Sequence, residues 1–449
     1  MFAPLLAYSP PPEPAPNVIL MIADGCGYNS YAAGAMAEGR LGREIFNGRG
    51  WNTRAMSTYP LRTEKAPGGT GQQDPNLVYD PAKAWDKTDG YKWLTDTPTD
   101  SGASATVYST GEKTYRHSIC WSDLDKPMVN AYDRFQWAGK SVGVVTSVEW
   151  SDATPAAMIA HNRNREDHVE IAREMTETSQ ATVIMGACHP WFDGSGKRSA
   201  TMGDASWVGN RDIFVKPMET WNGIRLIETK ADFQALAEGK LDMKGCTRVI
   251  GTAQVAGGLQ VNRATRDWNG DGKTDGEDNK AAPLFGDPRN TTVPELGTMA
   301  TGALNLLSKN QKGFFLMVEG GAVDHANHFN WPSRSVEEAL DFFRTVETVS
   351  GWIEKHGGWK RNLLIVTTDH ECGFVLGPNS DKVPFEAIVD NGIGKTPGMR
   401  HNSGGHTNAL VPVFARGAGA EQLKKFPTKH DPVRGDYIDN TDLGRLLRD

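Results

Sequence analysis

Short apolar runs rich in Val, Ile and Leu recur along the chain and limit the folds that it can adopt. They cover residues 18–23, 141–146, 181–185, 314–318, 363–367 and 410–414. Runs that are apolar on both faces are typical of central strands in a parallel sheet that helices cover on each side. Residues 335–354 carry apolar side chains at three- and four-residue steps, which predicts one such helix. The sequence therefore predicts an α/β fold with a large, mostly parallel central sheet and helices on both faces.

The segments between these runs indicate where the sheet is interrupted. Residues 186–222 are rich in glycine, tryptophan and polar side chains, and residues 261–290 are polar and charge-rich. We expect both to be insertions rather than strands. Residues 1–16 are proline-rich and have no basic stretch before their short apolar piece, as in the N-terminal arm of a mature or trimmed chain. The remainder, residues 17–449, is predicted to form one domain.

The distribution of charged and apolar residues argues against two classes of protein, namely nucleic-acid-binding proteins and membrane-spanning proteins. The chain has 55 acidic and 48 basic residues, a formal net charge of −7, and no basic stripe of the kind that follows nucleic acid. No apolar run is long enough to suggest a membrane span. We therefore expect neither specific binding to nucleic-acid duplexes nor a transmembrane segment.

Acidic residues follow several of the apolar runs, at the run's end or within a few residues of it. They are Asp24, Asp152, Glu319 and Asp369. Active sites in open parallel sheets lie beyond the carboxyl ends of the strands. These carboxylates therefore indicate a functional site at one edge of the sheet.

Histidines accompany the later acids. The segment VEGGAVDHANH contains Asp324 and His328, which one helical turn can place on the same face, a geometry suited to zinc. Two further segments, TTDH and SGGHTN, add Asp369, His370 and His406. Any one of these residues alone is usually a cap or a satisfied polar group, but their combination predicts a metal centre.

These segments and three others together resemble the alkaline phosphatase family. The others are IADGCG at 22–27, PTDSGASAT at 98–106 and DATPAAMIAHNRNR at 152–165. The resemblance runs in order from about residue 17 to about residue 417 and is weakest over 186–290. It implies a periplasmic or extracellular enzyme that hydrolyses small phosphate monoesters through a phosphoserine intermediate, with two zinc ions and one magnesium ion.

The resemblance also assigns roles to individual residues. Ser101 matches the nucleophile and Arg165 the phosphate-binding arginine, which Asp100 would orient. The first zinc would be held by Asp324, His328 and His406, and the second by Asp24, Asp369 and His370. Magnesium would be held by Asp24, Thr154 and Glu319, with Asp152 holding its water ligands.

The chemistry of the residues agrees with these roles. A serine hydroxyl is a weak nucleophile, and the chain offers no obvious Ser-His-Asp alternative, so activation by zinc is the natural device. Ser101 precedes a small-residue stretch that is expected to begin a helix, whose free N–H groups favour an anion. The planar fork of Arg165 can hold two phosphate oxygens. Since the leaving alcohol needs no contact in this scheme, we expect broad specificity.

Two other functions are open at this point. A phosphodiesterase or sulfatase of the same superfamily would share a two-metal ligand set but usually lacks the third-metal residues Thr154 and Glu319 together with Arg165. A calcium-stabilised binding or scaffold protein with a dead site would lack a ligand, and none is missing here. Both alternatives are therefore weaker than a monoesterase.

The chain departs from the family pattern in two places. His325 follows Asp324 where many bacterial members carry lysine, and we expect it to support phosphate binding through water. Residues 371–405 form only a short crown-like segment, where several members insert a whole subdomain. A reduced crown weakens the analogy for a homodimer, which stays possible.

The segment DWNGDGKTDGED at 267–278 resembles a twelve-residue calcium loop, with Gly272 at its sharp turn. Its final ligand is Asp rather than Glu, which favours one structural calcium ion over a sensor; a plain surface turn is the alternative. The predicted ligands are Asp267, Asn269, Asp271, the Lys273 carbonyl, Asp275 and Asp278.

Five cysteines show no paired CxxC spacing, which argues against a zinc ribbon or a thioredoxin-like site. Cys188 and Cys246 are equally compatible with a disulfide and with two buried free thiols. Cys26 and Cys372 lie beside predicted metal ligands, and we expect both to be neutral packed thiols.

Overall fold

A twelve-stranded sheet runs through the computed structural model, which describes residues 17–210, 212–214 and 218–448. In spatial order its strands are β15-β16-β2-β14-β9-β1-β8-β3-β4-β7-β6-β5. The chain-order bounds are β1 Asn17–Ala23, β2 Asn52–Ser57, β3 Ser141–Glu149, β4 Val183–Ala187, β5 Thr220–Trp221, β6 Ile224–Ile227, β7 Arg248–Thr252, β8 Phe314–Gly320, β9 Asn362–Thr367, β10 Glu371–Cys372, β11 Val375–Leu376, β12 Arg400–His401, β13 His406–Thr407, β14 Val411–Gly417, β15 Lys429–Asp431 and β16 Gly435–Asp439. Outside the large sheet, β10 pairs with β13 and β11 with β12. The predicted N-terminal arm, 1–16, lies outside the described residues.

The helices cover both faces of the sheet. Their bounds are α1 Tyr28–Ala37, α2 Pro81–Ala84, α3 Lys92–Thr95, α4 Ser101–Thr110, α5 Ala131–Trp137, α6 Ala153–Ile159, α7 His168–Arg173, α8 Lys230–Ala237, α9 Asp278–Ala281, α10 Leu296–Leu307, α11 Ala322–His328, α12 Pro332–Lys355 and α13 Asn440–Arg448. Shorter 3-10 turns lie at Ile45–Asn47, Ser206–Val208, Asp212–Phe214 and Ala420–Lys424, and a π turn lies at Glu174–Thr178. The helix predicted over 335–354 is the central part of α12.

The two faces of the sheet bury two separate apolar cores. Along β1, Ile19 and Met21 face a core that contains residues of α10 and α12, whereas Leu20 and Ile22 face a core that contains residues of α6 and α13. Side chains alternate between the faces of a strand, so a strand that is apolar throughout stabilises both cores. This explains the continuous apolar runs and confirms the predicted α/β class.

Strands β9, β1, β8, β3, β4, β7 and β6 form the parallel part of the sheet. The run at 410–414 was expected to be another parallel strand, and that expectation is wrong. Strand β14 is antiparallel to both β9 and β2. The chain leaves β9 at the carboxyl edge, passes through the crown-like segment and re-enters at the same edge without a crossover helix, so it has to run backwards.

The two predicted insertions behave differently. Residues 261–290, all of them described, contain no strand and one short helix, α9. The described part of 186–222 ends in β5, a two-residue strand that pairs with β6. Strands β6 and β7 were not predicted because IRLI and RVIGT are short and interrupted by arginine or glycine. No helix among the described residues is both long and apolar enough to cross a membrane.

Candidate active site

The predicted site residues gather where β9, β1 and β8 end side by side. In register, Ile22 of β1 lies opposite Glu319 of β8 and Thr367 of β9. Asp24 follows β1 directly, and Asp369 follows β9 by two residues. The sheet therefore brings carboxylates that are distant in sequence to one level at its carboxyl edge.

The ligand atoms of Asp324, His328 and His406 form one group, within 4.8 Å of one another and of the Cys372 sulfur. Nε2 of His328 lies 3.2 Å from Asp324 Oδ2, and Nε2 of His406 lies 3.6 Å from Asp324 Oδ1. The Nδ1 atoms lie 2.8 Å from the Gly404 carbonyl (His328) and 2.9 Å from the Thr99 carbonyl (His406). A carbonyl only accepts, so each Nδ1 donates, and each Nε2 is directed towards Asp324 as a metal-ligating nitrogen would be.

Asp24, Asp369 and His370 form a second group, and all three side chains are buried. Nε2 of His370 lies 3.1 Å from Asp369 Oδ2 and 3.5 Å from Asp24 Oδ1. Burial, and then the charges of Asp369, Asp324 and Glu319, raise the pKa of Asp24 well above its usual value. Buried carboxylates this close together repel one another when they are ionised, and a bound cation would offset that repulsion.

Orphaned oxygen atoms show that a metal fits these two groups. Asp24 Oδ1, Asp324 Oδ1 and Asp369 Oδ2 are buried and have no hydrogen-bond partner among the described residues. Buried polar atoms are nearly always paired, and metal coordination is one way to satisfy them. Together with nearby imidazole nitrogens, these oxygens make a donor set suited to zinc.

A third set of donors contains only oxygen. Thr154, at the start of α6, donates from Oγ1 to Asp24 Oδ2 at 3.3 Å. Glu319 accepts a hydrogen bond from Thr146 Oγ1. Burial raises the pKa of Glu319 to about 8, against hydrogen bonds from Thr146 and Thr154 that lower it. An oxygen-only set of this kind suits magnesium better than zinc.

Ser101 is the first residue of α4 and is buried. Its Oγ lies 3.2 Å from His370 Nε2, beside the second group. Asp100 is the N-cap, and its carboxylate accepts from Gly102 N at 3.1 Å and Ala103 N at 3.3 Å. The expectation that the first N–H groups of this helix are free for an incoming anion is therefore wrong for Gly102 and Ala103, because the capping carboxylate already binds them.

Arg165 connects two carboxylates at the site. It donates from Nη1 to Asp100 Oδ2 at 3.2 Å and from Nη2 to Asp152 Oδ1 at 2.9 Å. Burial alone would raise the pKa of Asp100, but Arg165 and the His117 N–H outweigh it and lower that pKa to about 2. Asp152 also caps α6 by accepting from Ala153 N at 2.7 Å. The guanidinium is thus held from two sides.

Glu149 is a site residue that the sequence analysis missed. Its carboxylate, that of Asp152 and the imidazole of His325 lie within 4.8 Å of one another. Burial raises the pKa of Glu149, and Glu149 Oε2 has no hydrogen-bond partner among the described residues. Its position at the carboxyl end of β3, three residues before Asp152, was the available signal. His325 therefore lies beside these two acids.

The cysteines are free thiols in the structure. The disulfide between Cys188 and Cys246 is therefore absent. Cys188 is buried but Cys246 is only half-buried, so the alternative of two buried free thiols holds only for Cys188. Burial, and then Asp324, raise the pKa of Cys372 well above its usual value. A neutral Cys372 agrees with the predicted packed thiol.

The loop at 267–278 lies away from these groups in sequence and is organised by its own carboxylates. Asp267 accepts from Gly270 N at 2.7 Å and from Gly272 N at 3.0 Å. The buried Asp278 accepts from three backbone N–H groups, those of Trp268, Asn269 and Asp275. Asp271 accepts from Lys273 N at 2.8 Å. Calcium binding by this loop stays a prediction.

Comparison with known proteins agrees with the geometry. The chain is 29% identical over 436 residues to the alkaline phosphatase of Escherichia coli, covering 92% of this chain and 83% of that one. The structure of the alkaline phosphatase from the Antarctic bacterium TAB5 matches with a TM-score of 0.59 at 22% identity, covering 97% of each chain. A histidine-to-aspartate variant of that protein, with magnesium bound in its M3 site, matches with the same score and coverage.

The match to the family itself covers most of the chain. A sequence model described as "Alkaline phosphatase" matches residues 15–391. This span contains the two metal-ligand groups except for His406, together with Ser101 and Arg165. The chain thus belongs to the alkaline phosphatase family and is a phosphatase.

Proposed function

We propose that this phosphatase hydrolyses phosphate monoesters of many alcohols and phenols through a covalent phosphoserine at Ser101. The observation that carries the proposal is the 3.2 Å distance between Ser101 Oγ and His370 Nε2, with Arg165 held nearby by Asp100 and Asp152. A hydroxyl beside a metal-ligand group and a fixed guanidinium provides both a nucleophile and a binding site for phosphate oxygens.

We infer a cofactor set of two zinc ions and one magnesium ion. Zinc would be held by the groups Asp324, His328, His406 and Asp24, Asp369, His370, and magnesium by Asp24, Thr154 and Glu319. Bound metals would supply Lewis acidity and positive charge for the developing oxyanions. The magnesium assignment is supported by the oxygen-only donors here and by the magnesium in the M3 site of the TAB5 variant.

The residues of the chain would divide the work as follows. Arg165 would bind two non-bridging phosphate oxygens and orient the phosphorus towards Ser101. Asp100 would hold the first turn of α4, and hence Ser101, in register with Arg165. Attack by Ser101 Oγ forms the O–P bond as the bond to the leaving alcohol breaks, and water then releases phosphate from the serine. In this scheme no group binds the alcohol, so specificity is broad.

A phosphodiesterase or sulfatase is the nearest alternative. The family membership and the juxtaposition of Thr154, Glu319 and Asp24 favour the monoesterase, because a third cation offsets the second charge of a monoester dianion. A diester carries one negative charge fewer and an additional bulky substituent. The charge at the site therefore favours monoesters.

One experiment tests both activity and cofactors. The metal content per chain is measured on the purified protein and compared with its rates on an aryl phosphate and on the matching aryl phosphodiester. We expect two zinc and one magnesium per chain, a fast monoester reaction and a slow diester reaction. A faster diester reaction would overturn the proposed substrate class, and acid-quenched protein without phosphoserine would overturn the intermediate.

The location and the oligomeric state stay predictions. We propose a periplasmic or extracellular enzyme, for which cell fractionation is the test. The reduced crown-like segment, 371–405, leaves a homodimer possible, and light scattering of the metal-loaded protein measures it directly. Anomalous scattering tests whether His325 binds the third metal, and an Asp271→Ala variant tests the calcium loop, as described below.

A further inference from the structure

A cavity of about 180 Å³, whose lining includes Glu371, the residue after His370, is not used by the proposed reaction. Its walls include Tyr28, Trp85, Phe374 and Phe385, with Arg434 at one side. The rings of Trp85 and Phe385 are 5.0 Å apart. A cavity of about 150 Å³ can hold a benzene molecule. The cavity is therefore large enough for one aromatic ring with a small substituent.

Arg434 gives this aromatic cavity a cationic side. Its guanidinium carbon lies 4.1 Å from the ring centre of Tyr28 and 5.8 Å from that of Trp85. No carboxylate of the described residues lies within ion-pair distance of it. Burial lowers the pKa of this half-buried arginine, and the opposing effects of Tyr28, Asp431 and Tyr79 offset that lowering only in part. The cation is thus partly desolvated and has no anionic partner in the part of the chain that the structure describes.

Asp431, three residues before Arg434 in the chain, cannot supply that partner because its oxygens are already bound. Tyr79 Oη and Trp85 Nε1 each donate to Oδ2 at 2.8 Å. The backbone N–H groups of Val433 and Arg434 donate to Oδ1 at 2.9 and 2.7 Å. Four donors fill the carboxylate, so Asp431 fixes the loop of Arg434 rather than its guanidinium.

Two further acids line the cavity and are also engaged. Glu371 accepts from Thr407 Oγ1. Glu386 accepts from the backbone N–H and the side-chain amide of Asn379. Neither carboxylate is paired with Arg434, and the guanidinium stays available to a ligand.

We propose that this cavity binds a small aromatic monocarboxylate, with its carboxylate on Arg434 and its ring between the aromatic walls. A guanidinium holds a planar carboxylate through two parallel N–H···O bonds, which suits this ligand better than a neutral one. The apolar lining accounts for the ring, and the unpaired cation accounts for the charge. The inference does not depend on the proposed catalytic mechanism.

Benzoate titration of the metal-loaded protein by calorimetry tests the site. We expect about one benzoate per chain and at least about tenfold weaker binding by Arg434→Gln, the loss of a charged hydrogen-bonded contact. The neutral isostere benzamide should also bind at least about tenfold more weakly than benzoate. Phosphatase activity of Arg434→Gln should stay near that of the wild type, which reports that the variant is folded.

Two control variants separate this site from other arginines. Arg416 stacks on Trp359 at 4.0 Å but does not line the cavity, so Arg416→Gln should bind benzoate as the wild type does. Arg165→Ala should also leave benzoate binding unchanged, because Arg165 lies at the catalytic site. If Arg434→Gln does not fold, Arg434→Lys keeps the charge and loses the planar fork, and weaker benzoate binding is again expected.

Three results would overturn the proposal. The first is that benzoate does not bind at concentrations up to about 10 mM. The second is that benzoate and benzamide bind equally well. The third is that benzoate binding disappears in Arg165→Ala and persists in Arg434→Gln. The last result would place benzoate in the catalytic site. None of them would affect the proposed phosphoserine reaction, which is measured separately with an aryl phosphate.

Discussion

Arg165 donates a hydrogen bond to Asp100 at 3.2 Å, and Asp100 caps the helix that begins with Ser101. One carboxylate therefore positions both the proposed nucleophile and the proposed phosphate-binding cation. The low pKa of Asp100, about 2, means that it stays ionised over the working range of any phosphatase of this kind.

Arg165→Ala should raise KM for an aryl phosphate by about 10- to 100-fold, the loss expected for charge-assisted hydrogen bonds. Metal content should not change. Arg163→Ala is the matched control. Arg163 lies two residues before Arg165, is exposed, binds Asp125 at 2.8 Å and does not touch the site. Steady-state kinetics of both variants check the prediction, and equal KM changes would contradict a specific role of Arg165.

Ser101→Ala should abolish formation of the phosphoenzyme and reduce turnover by several orders of magnitude. The fold and the metal content should stay nearly intact, because the serine only borders the ligand groups. Ser109→Ala, on the same helix, removes a bond to Ala131 N and serves as control. Mass spectrometry of acid-quenched protein gives the phosphoenzyme, and more than about a tenth of wild-type activity in Ser101→Ala would refute a nucleophilic role.

The third metal should be magnesium, since the proposed donors of Asp24, Thr154 and Glu319 are all oxygens. Anomalous scattering above and below the zinc edge, on crystals grown with both metals, distinguishes the ions. We expect two zinc peaks per chain and none near Thr154. Because His325 lies close to Asp152, a third zinc peak with His325 as a ligand would be the contrary result.

The metal-free protein should lose stability as the pH rises from about 6.5 to 9. Without metal, burial raises the pKa of Glu319 from 4.5 to about 8. The pKa of His328 rises from 6.5 to about 9, because the hydrogen bond and charge of Asp324 outweigh burial. Both folded-state values exceed the unfolded ones, so the folded protein binds more protons in this range and is destabilised when they leave.

Melting temperatures of chelator-treated protein across this pH range measure that effect. We expect a fall of several degrees without metal and a much smaller fall with zinc and magnesium. Glu338, buried outside the site, also has its pKa raised to about 8 and contributes in both states. The difference between the two curves therefore isolates the metal site, and parallel curves would contradict the prediction.

Asp271→Ala should lower the melting temperature in calcium and leave turnover at moderate temperature mostly unchanged. Calcium that binds only the folded loop raises stability by mass action. Asp390→Ala is the control, because Asp390 accepts from Gly392 N at 2.8 Å in a similar exposed turn outside the calcium-like loop. Equal melting temperatures with and without calcium in the wild type would show that 267–278 is an ordinary turn.

Much of the site could be predicted because its ligands lie directly after apolar strands. Asp24 and Asp369 follow β1 and β9, whose continuous apolar composition marks them in the sequence. Glu149 was missed because it ends a strand as one polar residue among several and matches no motif that we recognised. The Asp100 cap was missed because the start of α4 depends on one residue, and helix boundaries are poorly determined by local sequence.

The fold was predictable in class and less so in direction. Both faces of β14 are buried, as for a parallel strand, so its composition says nothing of the direction in which it runs. That direction depends on the connection from β9, whose route is a property of the whole chain. Cavities between distant segments, such as the one beside Arg434, are equally absent from local patterns.

The return of the chain from β9 to β14 has a consequence for how enzymes of this architecture can change. These strands are neighbours, and the rings of His370 and His406 at the two ends of the crown-like segment stack 3.5 Å apart. The segment is thus a loop whose two ends are held close together, and the entropy cost of lengthening such a loop grows only slowly with its length. Graft experiments could exchange this segment for longer or shorter versions. Such exchanges would change access to the catalytic site and leave the metal-ligand residues at the edge of the sheet in place.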